Sequence, residues 1–303
     1  MHDITIIGAG PAGLSAGIYA ARAKLSTLIV ERMYPGGQAA ITDRIENYPG
    51  FNEGVAGAEL AENMKSQAEK FGAEFLNGEV ESIERQGEKF IIKLKSESLE
   101  SKAVILAMGA ESRKLGVKGE KEYTGRGVSY CATCDGAFYA NKPVMIVGGG
   151  DSAIEEALYL TRFASSVQVV HRRDRLRATK ILQERAFKNK KIKFLWNSMV
   201  DEILGKDTVE EVIIRNVMTG EKTSALVNGI FVAIGWVPNT SFVKGLVKLD
   251  EQGYIITDET MNTGVPGLFA AGDIRKKPLR QVVTAVADGA IAAVEAGKYL
   301  ESL

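Results

Sequence analysis

The feature that most constrains the fold is a strand followed by a glycine-rich turn and a helix, which occurs twice. In the first copy, the apolar segment 3–7 leads into the turn at 8–13 (GAGPAG), and a run of small helix-forming residues follows. In the second copy, the segment 143–147 leads into the turn at 148–153 (GGGDSA). Each helical pattern is followed by another β-branched strand. A repeated β-α-β unit of this kind predicts two nucleotide-binding domains of similar architecture.

The first turn has the pattern that binds the pyrophosphate of a dinucleotide. Its glycines let backbone N–H groups and the positive end of a helix, about half a charge, approach the phosphates closely. An acid about 20 residues further on can bind the ribose hydroxyls. Glu31 lies 18 residues after the last glycine, at the end of the next strand. The turn residues predicted to contact the dinucleotide are Gly8, Gly10, Pro11, Ala12 and Gly13.

The second copy has arginines at the end of its second strand, where the first has an acid. His171, Arg172 and Arg173 follow that strand, and Arg177 comes four residues later. An acid would repel a 2′-phosphate, whereas arginines bind it through charge-assisted hydrogen bonds of about 1.5–3 kcal/mol each. The second copy is therefore predicted to bind NADPH. The turn residues predicted to contact NADPH are Gly148, Gly150, Asp151, Ser152 and Ala153.

Two nicotinamide sites in one chain make little chemical sense, so the first copy is expected to hold a flavin, FAD. A flavin accepts a hydride and passes electrons to a dithiol. Gly272 and Asp273 support this interpretation because an aspartate at a strand end can accept hydrogen bonds from the hydroxyls of a ribityl chain. The alternative is an isolated turn aspartate.

Cys131 and Cys134, the only two cysteines, stand two residues apart. This spacing allows a small reversible disulfide and lowers the pKa of a thiol. The alternatives are half of a zinc site, for which the sequence offers no partner ligands near the pair, and two buried structural thiols; no metal is expected. Asp135 is the nearest proton donor for a leaving thiolate. The alternative for Asp135 is a turn or N-cap role before Gly136.

Composition restricts the partners and the location. Lys and Arg together number 38, as do Asp and Glu, so the formal net charge is zero and nucleic acid is a poor candidate partner. No apolar run is long enough to cross a bilayer. The N-terminus lacks the basic and apolar regions of a signal peptide, so a cytoplasmic protein is expected.

The chain is long enough for two domains, and glycine-bearing breaks near 116–127 and 235–239 indicate where it crosses between them. The predicted fold class is α/β, with two Rossmann-like, doubly wound, three-layer ββα domains, the second inserted into the first. Residues 1–112 and 241–303 are expected to form a discontinuous FAD-binding domain. Residues 113–240 are expected to form an NADPH-binding domain that carries the dithiol.

These motifs together resemble low-molecular-weight, bacterial-type thioredoxin reductases, which are pyridine nucleotide-disulfide oxidoreductases, over essentially the whole chain. The segments 36–38 (GGQ), 46–50 (ENYPG) and 280–281 (RQ) also match. The cysteine motif combined with the arginine motif is highly specific. One departure is Met108, which stands where the family usually has threonine and puts a backbone-supporting contact in question.

The resemblance implies NADPH-dependent thioredoxin-disulfide reductase activity, in which electrons pass through FAD and the Cys131/Cys134 disulfide to thioredoxin or a related small dithiol protein. Cys134 would face the flavin, Cys131 would exchange with the partner disulfide, and Asp135 would be the general acid. Arg172, Arg173 and Arg177 would hold the 2′-phosphate. The residues implied to hold FAD are Glu31, Gly36, Gly37, Gln38, Asn47, Gly272, Asp273, Arg280, Gln281 and Val282.

The resemblance also implies a homodimer and a rotation of the NADPH domain against the FAD domain, so that nicotinamide and dithiol alternate at the flavin. Three other functions stay open. A ferredoxin-dependent flavin dithiol reductase would lack the glycine and arginine motifs of the second copy. A flavoprotein partner of a peroxidase would carry an extra N-terminal redox domain. A non-catalytic flavin-binding regulator would not need the Cys131/Cys134 pair.

Overall fold

Both β-α-β units are formed in the computed structural model, which describes residues 1–42 and 44–303 apart from the side chain of Cys134. Met1–Glu111 and Val237–Leu303 together make one compact unit, and Ser112–Trp236 makes the other. The first unit therefore consists of two separate stretches of chain, with the second unit between them in sequence.

The strands of the described residues form both parallel and antiparallel pairs. In chain order they are β1 (His2–Ile7), β2 (Thr27–Glu31), β3 (Glu74–Asn77), β4 (Val80–Gln86), β5 (Lys89–Leu94), β6 (Ser98–Leu106), β7 (Ala110–Ser112), β8 (Val128–Ser129), β9 (Pro143–Gly148), β10 (Ser166–Val170), β11 (Ile192–Leu195), β12 (Ser198–Gly205), β13 (Val209–Asn216), β14 (Lys222–Leu226), β15 (Gly229–Ala233), β16 (Trp236–Pro238) and β17 (Leu268–Ala270).

In chain order the α-helices are α1 (Pro11–Arg22), α2 (Gly37–Ala40), α3 (Gly57–Phe71), α4 (Glu120–Tyr123), α5 (Ala132–Asp135), α6 (Asp151–Leu160), α7 (Lys180–Lys188) and α8 (Val282–Glu301), and the 3-10 helices are Gly136–Tyr139, Ser241–Val243 and Gly272–Ile274. The helices of the two β-α-β units, α1 and α6, begin within the glycine turns.

The sheet of the first unit runs in the order β3-β2-β1-β6, with β17 also paired to β6, and these pairs are all parallel. β5 and β4 extend it in antiparallel fashion. Alternate residues of β6 point to opposite cores: Ile105 packs on the side of α1, α3 and α8, and Leu106 on the other. Burial on both faces is typical of parallel strands, and it fixes the register of the strand ends that carry the site.

The sheet of the second unit runs in the order β11-β10-β9-β15-β8 and is parallel throughout. Ile146 on β9 packs on the side of α6 and α7, whereas Met145 packs toward the antiparallel sheet β12-β13-β14. Helices, central sheet and second sheet thus make the predicted three-layer α/β arrangement. None of the helices in the described ranges is long and apolar enough to span a membrane.

Candidate active site

The glycine turn of the first unit is built for close approach of backbone segments. A Cβ at Gly13 would lie only 1.8 Å from the carbonyl oxygen of Gly8, so the turn admits no larger residue there. At Gly10, directly before α1, a Cβ would meet nothing within 4 Å. The backbone at Gly10 therefore borders open space beside a helix N-terminus, which is where this type of turn receives the phosphates of a dinucleotide.

Glu31, the predicted ribose-binding acid, is held beside this turn at the end of β2. Its Oε2 accepts a hydrogen bond from the backbone N–H of Ala9 at 2.7 Å, and its Oε1 accepts one from Met33 at 3.0 Å. Because each carboxylate oxygen has more than one acceptor site, Glu31 can still accept a hydrogen bond from a ligand hydroxyl.

Two segments far from the turn in sequence meet it at the start of α1. The N–H of Gly36 donates to the carbonyl of Ala9 at 2.7 Å, which brings Gly37 and Gln38 in α2 beside the turn. From the C-terminal stretch, Gly272 approaches so closely that a Cβ there would lie 2.8 Å from the Cβ of Ala12. The predicted FAD residues of these three segments are thus gathered in one place.

Asp273 and Arg280 offer an unpartnered acceptor and an unpartnered donor in this unit. The Oδ1 of Asp273 and the Nε of Arg280 are buried and have no hydrogen-bond partner among the described residues. Burial raises the pKa of Asp273, while the charges of Lys277 and Arg280 act in the opposite direction. Orphaned buried polar atoms are rare and need an explanation. A ligand with hydroxyl and carbonyl groups, such as a flavin, fits them.

The remaining predicted FAD residues lie at the start of α8. The guanidinium of Arg280 stacks over the ring of Tyr254, 4.0 Å from its centroid. Asn47 donates from Nδ2 to Oε1 of Gln281 at 3.0 Å, although the two are 234 residues apart in sequence. The hydrogen bond between Asn47 and Gln281 joins the two stretches of chain that form the first unit. Val282, the next residue, is the first of α8.

Met108 is half-buried in the core of the first unit. Its carbonyl accepts a hydrogen bond from Nδ2 of Asn239 at 3.0 Å. Because the bond uses the backbone, it does not require a particular side chain at this position.

In the second unit, the His171 ring packs directly against Gly149, the middle glycine of the turn. A Cβ at Gly149 would lie 2.4 Å from the imidazole. His171 is 5% exposed, and its Nε2 donates to the carbonyl of Arg175 at 3.1 Å. Burial lowers the pKa of His171, and the neighbouring arginines lower it further. The imidazole thus supports the turn and the arginine loop from within.

The arginine loop is tied directly to the glycine turn. The N–H of Arg177 donates to the carbonyl of Gly149 at 2.7 Å, and Asp151 accepts from the N–H of Thr179 at 2.6 Å. The side chains of Arg172, Arg173 and Arg177 are exposed, and none of them takes part in an ion pair within the described residues. The glycine turn and the arginine loop are therefore hydrogen-bonded to each other, and the three arginine side chains are exposed to solvent.

Cys131 precedes the short helix α5, in the same unit as the arginine loop. The buried hydroxyl of Ser129 accepts from the N–H of Cys131 at 3.1 Å and donates to its carbonyl at 3.2 Å. Cys131 is in the disulfide form. The side chain of Cys134, the other predicted redox cysteine, lies outside the described residues. Ser129 therefore holds the backbone of Cys131 in one position.

Asp135 occupies the N-cap position of the 3-10 helix Gly136–Tyr139, but its side chain makes no capping hydrogen bond. The capping alternative is therefore wrong for the side chain. Burial raises the pKa of Tyr139, and the charge of Asp135 raises it further. Asp135 is thus close enough to the Tyr139 hydroxyl for their charges to interact.

Sequence reasoning missed Glu156, which lies on α6 and contacts the first residue of α5. It accepts a hydrogen bond from the N–H of Ala132, and its Oε2 is buried without a partner in the described part of the chain. Burial raises the pKa of Glu156 to about 8. It lines a cavity of about 150 Å³ together with Tyr130, Asp151 and Arg177. Nothing in the sequence distinguishes it from its neighbour Glu155.

Residues 2–289 match the family model described as pyridine nucleotide-disulphide oxidoreductase. The chain is 51% identical to a thioredoxin reductase of Peptoclostridium acidaminophilum, with 100% of this chain and 98% of the relative covered. It is also 51% identical to a thioredoxin reductase of Bacillus subtilis, with 100% and 96% covered.

Solved structures agree with these relatives. The fold matches the crystal structure of Lactococcus lactis thioredoxin reductase in the FR conformation with a TM-score of 0.98, 49% identity and full coverage of both chains. This match confirms the predicted two-domain Rossmann-type α/β fold. The chain therefore belongs to the pyridine nucleotide-disulphide oxidoreductase family and, within it, to the bacterial-type thioredoxin reductases.

Proposed function

We propose that this thioredoxin reductase transfers electrons from NADPH, through FAD and the Cys131/Cys134 pair, to the disulfide of thioredoxin or a related small dithiol protein. The observation that carries the proposal is that Cys131 stands in the same compact unit as a glycine turn tied to three exposed arginines. A dithiol beside a site for a phosphorylated nicotinamide has no purpose in a simple nucleotide-binding protein.

In the first unit, the chain's contribution is to bind and orient FAD. FAD, when bound, supplies a ring that takes a hydride from NADPH and returns two electrons to a disulfide. The backbone at Gly10 would bind its pyrophosphate, and Glu31 its ribose hydroxyls. Asp273 would accept hydrogen bonds from the ribityl chain, and Arg280 would donate to an acceptor on the cofactor.

In the second unit, Arg172, Arg173 and Arg177 would hold the 2′-phosphate, and the turn from Gly148 to Ala153 would hold the pyrophosphate. His171 has a different task from the one that its place in the motif suggests. Its buried ring fills the space above Gly149 and fixes the Arg175 carbonyl, so it positions the loop and does not itself need to contact the phosphate.

The dithiol performs the exchange with the protein substrate. The Cys131 thiolate attacks one sulfur of the partner disulfide, and the second partner sulfur leaves as a thiolate that takes a proton from Asp135. The Cys134 thiolate then attacks Cys131 in the mixed disulfide. The Cys131–Cys134 disulfide re-forms, and the first partner sulfur leaves as a thiolate that is protonated from solvent. Two electrons have then moved to the partner.

The quaternary state and location belong to the same proposal. We expect a homodimer, as the resemblance to bacterial thioredoxin reductases implies, and a cytoplasmic location, as the sequence pattern of the N-terminus predicts. The formal net charge of zero supports a protein partner over a nucleic acid.

The deciding experiment follows NADPH oxidation by the purified protein with candidate thioredoxins, each compared with the same protein after alkylation of its reduced dithiol. Turnover with thioredoxin that the alkylated control lacks is the expected result. Cys134→Ser should abolish that turnover and still allow NADPH to bleach the yellow flavin under anaerobic conditions. A purified protein without flavin, or one whose flavin NADPH cannot reduce, would contradict the proposal.

A further inference from the structure

A buried ion network lies directly behind the Gly272–Asp273 turn. Asp288, on the second turn of α8, accepts hydrogen bonds at Oδ2 from the N–H of Gly272 at 3.0 Å, from Nε of Arg275 at 2.8 Å and from Nζ of Lys277 at 2.8 Å. Its Oδ1 accepts from Nη2 of Arg275 at 2.9 Å. One carboxylate thus binds the beginning, the middle and the end of the same loop.

The network is closed to solvent on the side of Lys277. The side chain of Lys277 is 3% exposed and that of Asp288 is 7% exposed. Burial alone would raise the pKa of Asp288, but the hydrogen bonds from Arg275 and Lys277 hold it below its ordinary value. A buried ammonium needs a carboxylate partner, because an unpaired buried charge is strongly destabilising.

Lys277 has two carboxylates within reach and is hydrogen-bonded to only one of them. Its Nζ lies 2.8 Å from Asp288 Oδ2 and 4.0 Å from Asp273 Oδ1. That Oδ1 is the buried oxygen without a hydrogen-bond partner. A shift of Lys277 by about one ångström would give it a charge-assisted hydrogen bond of normal length.

We propose that Asp288 is a positioning residue for flavin binding: it retains Lys277, and so keeps Asp273 Oδ1 free for a hydroxyl of the cofactor. This rests on the proposal that FAD occupies the first unit. Arg275 and the N–H of Gly272 share the same carboxylate, so the turn is fixed at the same time. Asp288 is therefore needed for flavin affinity although it lies behind the turn.

The arrangement predicts that the loss of FAD affinity caused by a change at Asp288 is reversed when Lys277 is also replaced. In Asp288→Asn, Lys277 loses its carboxylate and moves to Asp273, where it competes with the ligand, so the FAD dissociation constant of the apoprotein rises about tenfold or more. In Asp288→Asn/Lys277→Met no ammonium is left to compete, so most of the affinity returns. Methionine has a similar length and fills the space of the lysine stem.

Flavin affinity is measured by titrating each apoprotein with FAD and following the quenching of flavin fluorescence, with thermal unfolding of the same samples to check the fold. Asp258→Asn is the matched control. Asp258 also accepts three hydrogen bonds in a loop of the first unit, from Thr260 and Asn262. Its substitution should leave the FAD dissociation constant within about twofold of the unsubstituted protein.

Two results would overturn the inference: Asp288→Asn binding FAD as tightly as the control, or the double variant binding as weakly as Asp288→Asn. The second result would mean that Asp288 only supports the turn. If Asp288→Asn does not fold, Asp288→Ser with and without Lys277→Met is judged by the same two criteria, because serine also removes the carboxylate that retains Lys277. If the unsubstituted protein does not bind FAD, the proposed function fails instead.

Discussion

The hydroxyl of Tyr130 donates a hydrogen bond to Oε1 of Glu120 at 2.8 Å. The same buried carboxylate accepts from the N–H groups of Leu115 and Gly116, both at 2.7 Å. Glu120 therefore joins the segment with which the second unit begins to the residue directly before Cys131. Burial raises the pKa of Tyr130 to about 12, and the hydrogen bond to Glu120 contributes to the rise.

Removal of this hydrogen bond should destabilise the second unit in a graded way. Tyr130→Phe leaves Glu120 with two donors and should lower the free energy of unfolding by about 1 kcal/mol. Glu120→Ala leaves all three donors without their acceptor and should cost roughly 3 kcal/mol or more. Urea titration measures both values. Tyr34→Phe is the control, since Tyr34 is 81% exposed and its change should be within about 0.5 kcal/mol. Equal losses for Tyr34 and Tyr130 would contradict the assignment.

Glu156 predicts a pH dependence of stability with a definite sign. Because its pKa in the folded protein is raised to about 8, the folded state keeps a proton that the unfolded state releases near its ordinary pKa of about 4.3. Stability should therefore fall as pH rises from about 4.3 to about 8, by at most about 1.4 kcal/mol per pH unit from this group. Glu156→Gln should flatten the profile measured by urea titration at successive pH values.

The matched control for this pH profile is Glu184, an exposed glutamate on α7 of the same unit. Glu184→Gln should leave the slope unchanged. A profile of Glu156→Gln that is parallel to that of the unsubstituted protein would show that Glu156 is ionised when folded.

The two glycine turns could be predicted from sequence because their geometry depends on local backbone requirements. The tight contact of Gly13 with the Gly8 carbonyl and the open space at Gly10 both follow from a strand that passes directly into a helix. The arginine loop was predictable for the same reason, since it follows the strand that ends a β-α-β unit. The buried position of His171 was not predictable from its place among the arginines.

Long-range partners could not be predicted, because they depend on which helix packs behind which turn. Asp288 stands in an alanine-rich helix, and only the tertiary structure shows that it binds Arg275 and Lys277. Glu155 and Glu156 have the same chemistry, and a rotation of one helical position decides which of them is buried. The compact units divide at 111/112 and 236/237, close to positions where glycine-bearing segments break the pattern.

The three arginines predict the coenzyme preference. Replacement of Arg172 and Arg173 together by alanine removes two charge-assisted hydrogen bonds of about 1.5–3 kcal/mol each, so KM for NADPH should rise at least about a hundredfold. KM for NADH should change little, and steady-state assays with each coenzyme test both statements. Arg175→Ala is the control, because Arg175 is also exposed but contributes its carbonyl to His171. An unchanged preference for NADPH would refute the role given to the pair.

The contact between Gly149 and His171 predicts that a methyl group at Gly149 weakens NADP⁺ binding and that removal of the imidazole restores part of it. Gly149→Ala places a methyl group where the imidazole lies, 2.4 Å from the ring, so either the turn or the ring must move. The dissociation constant for NADP⁺, measured by calorimetry, should rise about tenfold or more, whereas FAD content should not change. Gly149→Ala/His171→Ala provides space for the methyl group and should recover part of the loss. A double variant weaker than both single variants would contradict this packing argument.

Asp135 should separate proton transfer to the protein substrate from the earlier electron transfer. A positioned general acid contributes about a hundredfold or more, so Asp135→Asn should lower kcat for thioredoxin reduction by that factor. NADPH should still bleach the flavin of this variant at the normal rate in anaerobic stopped-flow measurements.

The same substitution removes a charge that raises the pKa of Tyr139, so this pKa should fall toward its ordinary value. Asp207→Asn, which changes an exposed aspartate between β12 and β13 of the same unit, should alter neither rate. If Asp135→Asn slowed flavin reduction as much as thioredoxin reduction, the carboxyl would be acting on the nicotinamide side, and its assignment as proton donor to the leaving thiolate would be wrong.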